Sequence, residues 1–332
     1  MSLIVTGATG ALGRLTIEHL LKRGVPAEEI VATGREVDRI SDLAERGVHI
    51  RVADYADPAS LRAAFAGATR LLLVSGSVLG AERVQQHRNA IEAAREAGAG
   101  LVAYTSILNA ATSTLRLAED HQATEALLRE SGVPFTMLRN GWYTENYIGR
   151  LPVFLEHGAV YGSVGDGRVS TAARADYAGA AAAVLTTSGH ENRAYELGGD
   201  EAFTLTELAA EIAAQSGTDV RYVDLPEHEY AGVLAANGLP QLYADVLADA
   251  DRGISRGELE TRSGDLRRLL GQPTTPLTET IATALSRLSQ RKENNPGRAL
   301  ADFFRLENGK VVEHWDVIQD VPKTSANGNG MF

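Results

Sequence analysis

Short apolar runs recur along the chain, and each is followed by a stretch whose apolar positions fall three and four residues apart. "LIVTG" (3–7) predicts a buried strand; residues 11–23, with Leu12, Leu15, Leu20 and Leu21 among the apolar positions and Gly24 as a stop, predict a helix. Further strands are predicted at 29–35, 50–55, 70–76, 101–107, 135–141 and 194–199. Helices are predicted at 58–67 (opened by Pro58), 82–97 and around 119–131. Such alternation implies right-handed crossovers and a parallel sheet. The strands are hydrophobic almost throughout, as they must be when helices cover both faces. The predicted class is α/β, a doubly wound parallel sheet.

After residue 200 the pattern changes. Residues 203–217 predict a helix with Thr204 as N-cap and Glu207 at capping-box spacing. A short strand follows at 220–226, then a mostly helical stretch to 285. With 151–169, residues 200–285 are expected to form a smaller lobe over the C-terminal edge of the sheet, shaping the substrate pocket. The core is expected to be 1–150, completed by about 170–199. Polar residues 286–298 read as a linker. Beyond them, runs 300–306 and 310–318 flank Asn308-Gly309, a strong hairpin signal.

Composition narrows the function classes. The net charge of the 332 residues is −11, which disfavours nucleic acid as a partner. There is no cysteine, hence no disulfide, thiol nucleophile or thiolate metal site. The start lacks the basic segment and longer apolar run of a secretory signal. No apolar run approaches the ~20 residues of a membrane helix; Ala-rich 177–185 reads as a packed helix. A soluble, cytoplasmic protein with no membrane partner is expected.

"VTGATGALGRL" (5–15) joins the first strand to the first helix and places glycines at 7, 10 and 13. A glycine turn there lets backbone amides approach a pyrophosphate, and the helix N-terminus favours negative charge. In this strand–helix context the turn points to a dinucleotide-binding Rossmann fold over an ordinary β-α turn, although the G-x-x-G-x-x-G spacing differs from G-x-G-x-x-G. The second strand ends at Gly34-Arg35 without the acid that receives a ribose 2′-hydroxyl in NAD-binding forms. Arg35, with Arg39 one turn on, suits the 2′-phosphate of NADPH, while Glu36 and Asp38 weaken the local positive field. Asp54 ends the third strand, where it either contacts adenine or caps the following turn. Ser75, Gly76 and Ser77 are expected beneath the cofactor.

The chain has no Tyr-x-x-x-Lys, the pair that carries a proton to the carbonyl in short-chain dehydrogenases. His121 and Glu125, one helical turn apart, are candidates for a proton relay or for a purely structural pair. No His, Asp or Glu set has metal-ligand spacing. What remains is direct hydride transfer to an acceptor that needs little acid catalysis, and quinones fit. "RNGWYTENY" (139–147) follows the sixth strand. It offers Asn140 for polar contacts, Gly141 for close approach, and Trp142, Tyr143 and Tyr147 as flat surfaces. With Ser106, these three aromatics are the expected substrate contacts.

"VTGATGALG", "VAYTSILNA", "HQATEALLRESG", "LRNGWYTENY", "AARADYAGAAA" and "LGGDEAFTLTELA" together resemble the type 2 NADPH:quinone oxidoreductases, which are NmrA-like, atypical short-chain dehydrogenase/reductases. The resemblance covers about 1–285. It implies NADPH-dependent two-electron reduction of quinones. It also implies cofactor contacts from Gly7, Ala8, Thr9, Gly10, Ala11 and Leu12, from Arg35, from Ser75 to Ser77, and from Arg139, Asn140, Gly141, Trp142, Tyr143 and Thr144. Gly76 stands where that family favours serine, and Glu36 follows the phosphate-binding arginine. Triphenylmethane-dye reductases share most of these motifs, and some NmrA-like proteins bind the dinucleotide as redox sensors without turnover. Oligomeric state is left open. The tail 299–332 resembles the end of a SnoaL-like protein of the nuclear-transport-factor-2 fold, with His314 and Asp316 matching positions near that family's cavity. Only the last part of such a domain is present, so no independent activity is expected of it.

Overall fold

The computed structural model describes the backbone of residues 2–294, 298–307 and 310–320 and the side chains of residues 2–290. The chain divides into two compact units, Met1–Thr280 and Ile281–Phe332.

The first unit contains nine strands: β1 (Leu3–Val5), β2 (Ile30–Gly34), β3 (His49–Val52), β4 (Arg70–Leu73), β5 (Leu101–Ile107), β6 (Phe135–Asn140), β7 (Ala159–Gly162), β8 (Arg193–Leu197) and β9 (Arg221–Asp224). Seven form one sheet in the order β3-β2-β1-β4-β5-β6-β8, and every neighbouring pair is parallel. The helices are α1 (Ala11–Lys22), α2 (Ser41–Glu45), α3 (Pro58–Phe65), α4 (Ala81–Glu96), α5 (Arg116–Glu130), α6 (Glu145–Ile148), α7 (Leu151–His157), α8 (Arg174–Thr186), α9 (Leu205–Ser216), α10 (Glu227–Ala236), α11 (Gln241–Ser255), α12 (Asp265–Leu270) and α13 (Leu277–Asn294).

The five central strands, β2, β1, β4, β5 and β6, are buried on both faces because their side chains alternate between two cores. Leu3 and Val5 of β1 join Leu72, Leu101 and Ala103 beneath α1 and α8. Ile4 joins Leu71, Leu73, Val102 and Tyr104 beneath α3, α4 and α5. This is why the strands read as continuous apolar runs. Local signals set the helix starts. Pro58 opens α3, with the Asp57 carboxylate accepting the Ala59 N–H. Thr204 and Glu207 form the expected capping box on α9.

The smaller lobe pairs β7 with β9 in a parallel ribbon and is otherwise helical. It lies in the same compact unit as the sheet. One expectation is corrected: the segment read as a linker, 286–298, is helical through Asn294, because α13 continues across it. Its polarity belongs to a run of good helix formers, Ser-Arg-Leu-Ser-Gln-Arg-Lys-Glu, and not to irregular chain. Residues 295–297 lie outside the described residues. In the second unit, β10 (Arg298–Glu307) and β11 (Lys310–Asp320) pair antiparallel, with a register shift between Arg305 and Leu306. The expected Asn308-Gly309 turn, and the side chains of His314 and Asp316, lie outside the described residues.

Candidate active site

From the adjacent ends of β1 and β4 the sheet runs in opposite directions, to β2 and β3 on one side and to β5 and β6 on the other. Such a switch point opens a crevice. Here it is a cleft of about 270 Å³, and its walls include Gly7, Thr9, Gly10, Arg35, Asp54, Ser75, Gly76 and Ser77, all expected from the sequence. Thr33, Gly34, Ala53, Tyr55, Val74, Val78 and Gln86 complete it and were not expected. They come from positions beside the motifs, where no residue type signals a ligand.

The glycine turn is shaped for close approach. Gly7 sits at φ +61°, where a side chain is strained. A Cβ on Gly13 would lie 2.5 Å from the Gly7 carbonyl oxygen, so α1 packs closer to β1 than any side chain permits. Gly10 caps α1 without a side-chain hydrogen bond, and the first turn carries no acid. The first N–H groups of α1 are thus free of side-chain partners, as a phosphate requires. The turn uses two of its own amides internally: Ala8 N–H donates to Thr33 O and Gly10 N–H to Gly7 O, both at 2.9 Å. Leu12 is buried in the core and Ala11 is exposed on the first turn.

Arg35 is exposed on the cleft wall, with no ion pair or hydrogen bond among the described residues. Arg39 does not assist it. Its guanidinium pairs with Glu36 at 3.3 Å on the exposed surface. Asp54 lines the cleft and also caps its own turn, its Oδ1 accepting the Ala56 N–H at 2.9 Å.

At the ends of β5 and β6 several of the expected site residues have partners within the protein. Ser106 is buried and donates to Glu125 (2.7 Å), so its hydroxyl is not held out to a substrate. Arg139 grips Glu125 through Nε and Nη2 (2.9 and 2.7 Å) and Glu196 through Nη1 (2.7 Å). Its side chain is therefore fully engaged within the protein. Burial pushes the Glu125 carboxyl up, yet Arg139 and Ser106 hold it below the ordinary range. Glu196 in turn accepts the Asn109 N–H at 2.7 Å, fixing the loop after β5, where Asn109 stands at φ +55°. Thr144 is buried and donates to Thr171 (2.9 Å). Tyr147 is buried edge-on against Phe203, its hydroxyl without a partner among the described residues. Helix α6 turns it inward, so it offers no flat surface to a ligand. Gly141 is tight against the protein itself, since a Cβ would meet Leu197 O, Ser170 O and Tyr177 Oη at 3.0 Å.

Three of the nine-residue run remain at the sheet's edge. Trp142 and Tyr143 are half-buried; Tyr143 stands edge-on to Tyr177, with the Arg174 guanidinium 5.0 Å over its ring. Asn140 is buried, and its Oδ1 has no partner among the described residues. An orphaned acceptor costs free energy unless a ligand donor meets it.

His121 and Glu125 do not pair. Buried His121 bonds the Tyr104 hydroxyl at 2.7 Å, and burial beside Arg83 and His87 lowers its pKa to about 3. It is a neutral core residue. Sequence reasoning missed His87, which lies under the cleft on α4. A lone histidine in an amphipathic helix carries no signal of its own.

A family model for NAD(P)H-binding proteins matches residues 7–188. The chain is 50% identical to quinone oxidoreductase 2 of Escherichia coli over 278 residues, which is 84% of this chain and 96% of that one. It superposes on the crystal structure of an E. coli NADPH-dependent quinone oxidoreductase complexed with NADPH with a TM-score of 0.83 and 49% identity, covering 85% and 99% of the two chains. A Citrobacter triphenylmethane reductase is also similar, with a TM-score of 0.82, 41% identity and coverage of 86% and 100%.

Proposed function

Because the chain belongs to the NAD(P)H-binding, NmrA-like family that includes quinone oxidoreductase 2, we propose that it is an NADPH-dependent oxidoreductase that reduces quinones by two electrons. One observation carries the reading: an unpaired arginine, Arg35, shares a single cleft with an uncapped, acid-free helix start. The first suits a 2′-phosphate and the second a pyrophosphate.

When bound, NADPH supplies a hydride. The chain's own residues bind and orient. Gly7, Thr9, Gly10 and the start of α1 receive the pyrophosphate. Arg35 receives the 2′-phosphate, and the loop 75–77 forms the floor. Asn140 offers its unpartnered Oδ1 to a donor at the nicotinamide end. Trp142 and Tyr143 flank a flat acceptor. Ser106, Tyr104, His121 and Glu125 are engaged with one another or with Arg139, so none is poised to pass a proton to substrate. Solvent supplies it, and a quinone suits such a site because the electron-poor ring accepts hydride before its oxygens are protonated.

The test is steady-state turnover of NADPH and NADH with benzoquinone, menadione and a triphenylmethane dye. Quinone turnover with NADPH preferred supports the reading. Faster turnover of the dye reassigns the acceptor, and tight NADPH binding without turnover points to a sensor. In the same assays Arg35→Ala should raise KM for NADPH about ten- to hundred-fold, the worth of a charge-assisted pair, and leave NADH unchanged. Unaltered discrimination removes Arg35 from the 2′-phosphate.

A further inference from the structure

The floor of the cleft is not held by the sheet. β4 ends at Leu73, and the next residues hang from side chains of other elements. Val74 N–H donates to Thr6 Oγ1 (2.9 Å), Ser75 N–H to Thr105 Oγ1 (2.8 Å) and Gly76 N–H to His87 Nε2 (2.9 Å). His87 is fully buried on α4.

The direction of these bonds fixes the histidine's proton. Nε2 accepts from a backbone N–H, so it carries no hydrogen. Burial, with Arg83 close by, keeps the ring neutral and lowers its pKa to about 3. The hydrogen is therefore on Nδ1, which donates to Thr124 Oγ1 at 2.9 Å. Thr124 passes its own hydrogen to Asp120 O at 2.8 Å. The chain runs one way, from Gly76 through His87 and Thr124 into the backbone of α5.

The peptide joining Ser75 to Gly76 is trans, so its carbonyl points opposite to its N–H. With the N–H drawn down onto His87, the Ser75 carbonyl faces away from α4. It accepts no hydrogen bond from the described residues. A Cβ on Gly76 would make only ordinary contacts, 3.6–3.7 Å from Gln86, His87 and Tyr55, so packing does not require glycine there. What the loop requires is its orientation.

We propose that His87, in the Nδ1–H form, is a positioning residue for the cofactor: it turns the 75–76 peptide so that the Ser75 carbonyl is presented to a sugar hydroxyl of the dinucleotide. The proposal rests on reading the cleft as the NADPH site. His87 touches neither cofactor nor acceptor and acts through Gly76.

The experiment measures NADPH dissociation constants, KM values and melting temperatures of the full-length wild type, His87→Gln, His87→Leu and Thr124→Val. Glutamine retains an acceptor for the Gly76 N–H and should hold affinity within about three-fold, whereas leucine should weaken NADPH binding about ten-fold or more. KM for quinone and kcat at saturating NADPH should stay near wild type. A His87→Leu protein that melts lower but binds NADPH normally overturns the proposal, since the role is then only structural. If His87→Leu does not fold, the ring nitrogens of the wild type decide by long-range ¹H–¹⁵N spectra: the Nδ1–H form supports the proposal, and the Nε2–H form or an imidazolium overturns it. A wild type that binds no NADPH defeats the functional reading itself, a failure seen before any variant is compared.

Discussion

At the scale of single residues, burial decides what a polar group does. Asp251 on α11 is nearly inaccessible, and burial, with Asp224 adding to it, pushes its pKa up to about 7 although the Ser163 N–H (2.8 Å) and Arg150 work against the rise. The folded-state value lies above the unfolded 3.8, so the native protein keeps a proton that the unfolded chain releases. Stability is therefore greatest at low pH within this window, drains as pH rises from about 4 to 7, and is flat above. Asp251→Asn keeps an acceptor for Ser163 and removes the titration. Its melting temperature should match wild type near pH 4 and exceed it by several degrees at pH 8, for a gain of at most about 4 kcal/mol. Parallel melting curves across that range would show that Asp251 is ionised in the fold. The same rule separates the site residues. Arg35 and Arg139 look alike in sequence, but one is exposed and unpaired while the other is locked between two carboxylates. Only their neighbours in space distinguish them.

At the scale of elements, the first strand, turn and helix form a unit whose geometry is written in its glycines. Gly13→Ala puts a methyl 2.5 Å from the Gly7 carbonyl oxygen, so α1 must shift or the turn must open. The variant should lose about 2 kcal/mol or more in chemical denaturation and bind NADPH more weakly. Wild-type stability with wild-type affinity would mean the helix moves freely on the strand. This unit was legible in the sequence because its constraint is local: a tight turn and a close helix each demand glycine at a fixed offset. The central strands were legible for a similar reason, since burial on both faces makes them apolar over most of their length. The run 139–147 was read only in part. Its aromatics were visible, but α6 decides which face each one takes, and it turns Tyr147 into the small lobe while Trp142 and Tyr143 stay at the edge. The loop 74–77 lines the cleft, but what supports it was not legible, because its partners come from Thr6, Tyr55, Thr105 and His87, far apart in the chain.

At the scale of the whole molecule, the cleft and its loops lie within Met1–Thr280, and β10 and β11 pair only with each other among the described residues. A truncation removing 295–332 should therefore keep near-normal quinone turnover and KM for NADPH; a large loss of either would give the tail a part in the site. Among the described residues no helix is long and apolar enough to cross a membrane, and no cluster of His, Asp and Glu is arranged to hold a metal ion.

The sequence by itself determined the doubly wound sheet, the glycine turn and the arginine beyond it, because each follows from spacing within one strand–turn–helix unit or from the periodicity of burial. The tertiary structure decided which polar groups are spent inside the protein and which are left for a ligand. Ser106, Arg139, Thr144 and Tyr147 turn inward, Arg35 is left unpaired, and His87 takes hold of the cleft floor. Those outcomes depend on partners brought together across the sheet, where desolvation and hydrogen-bond geometry, not residue type, set the role.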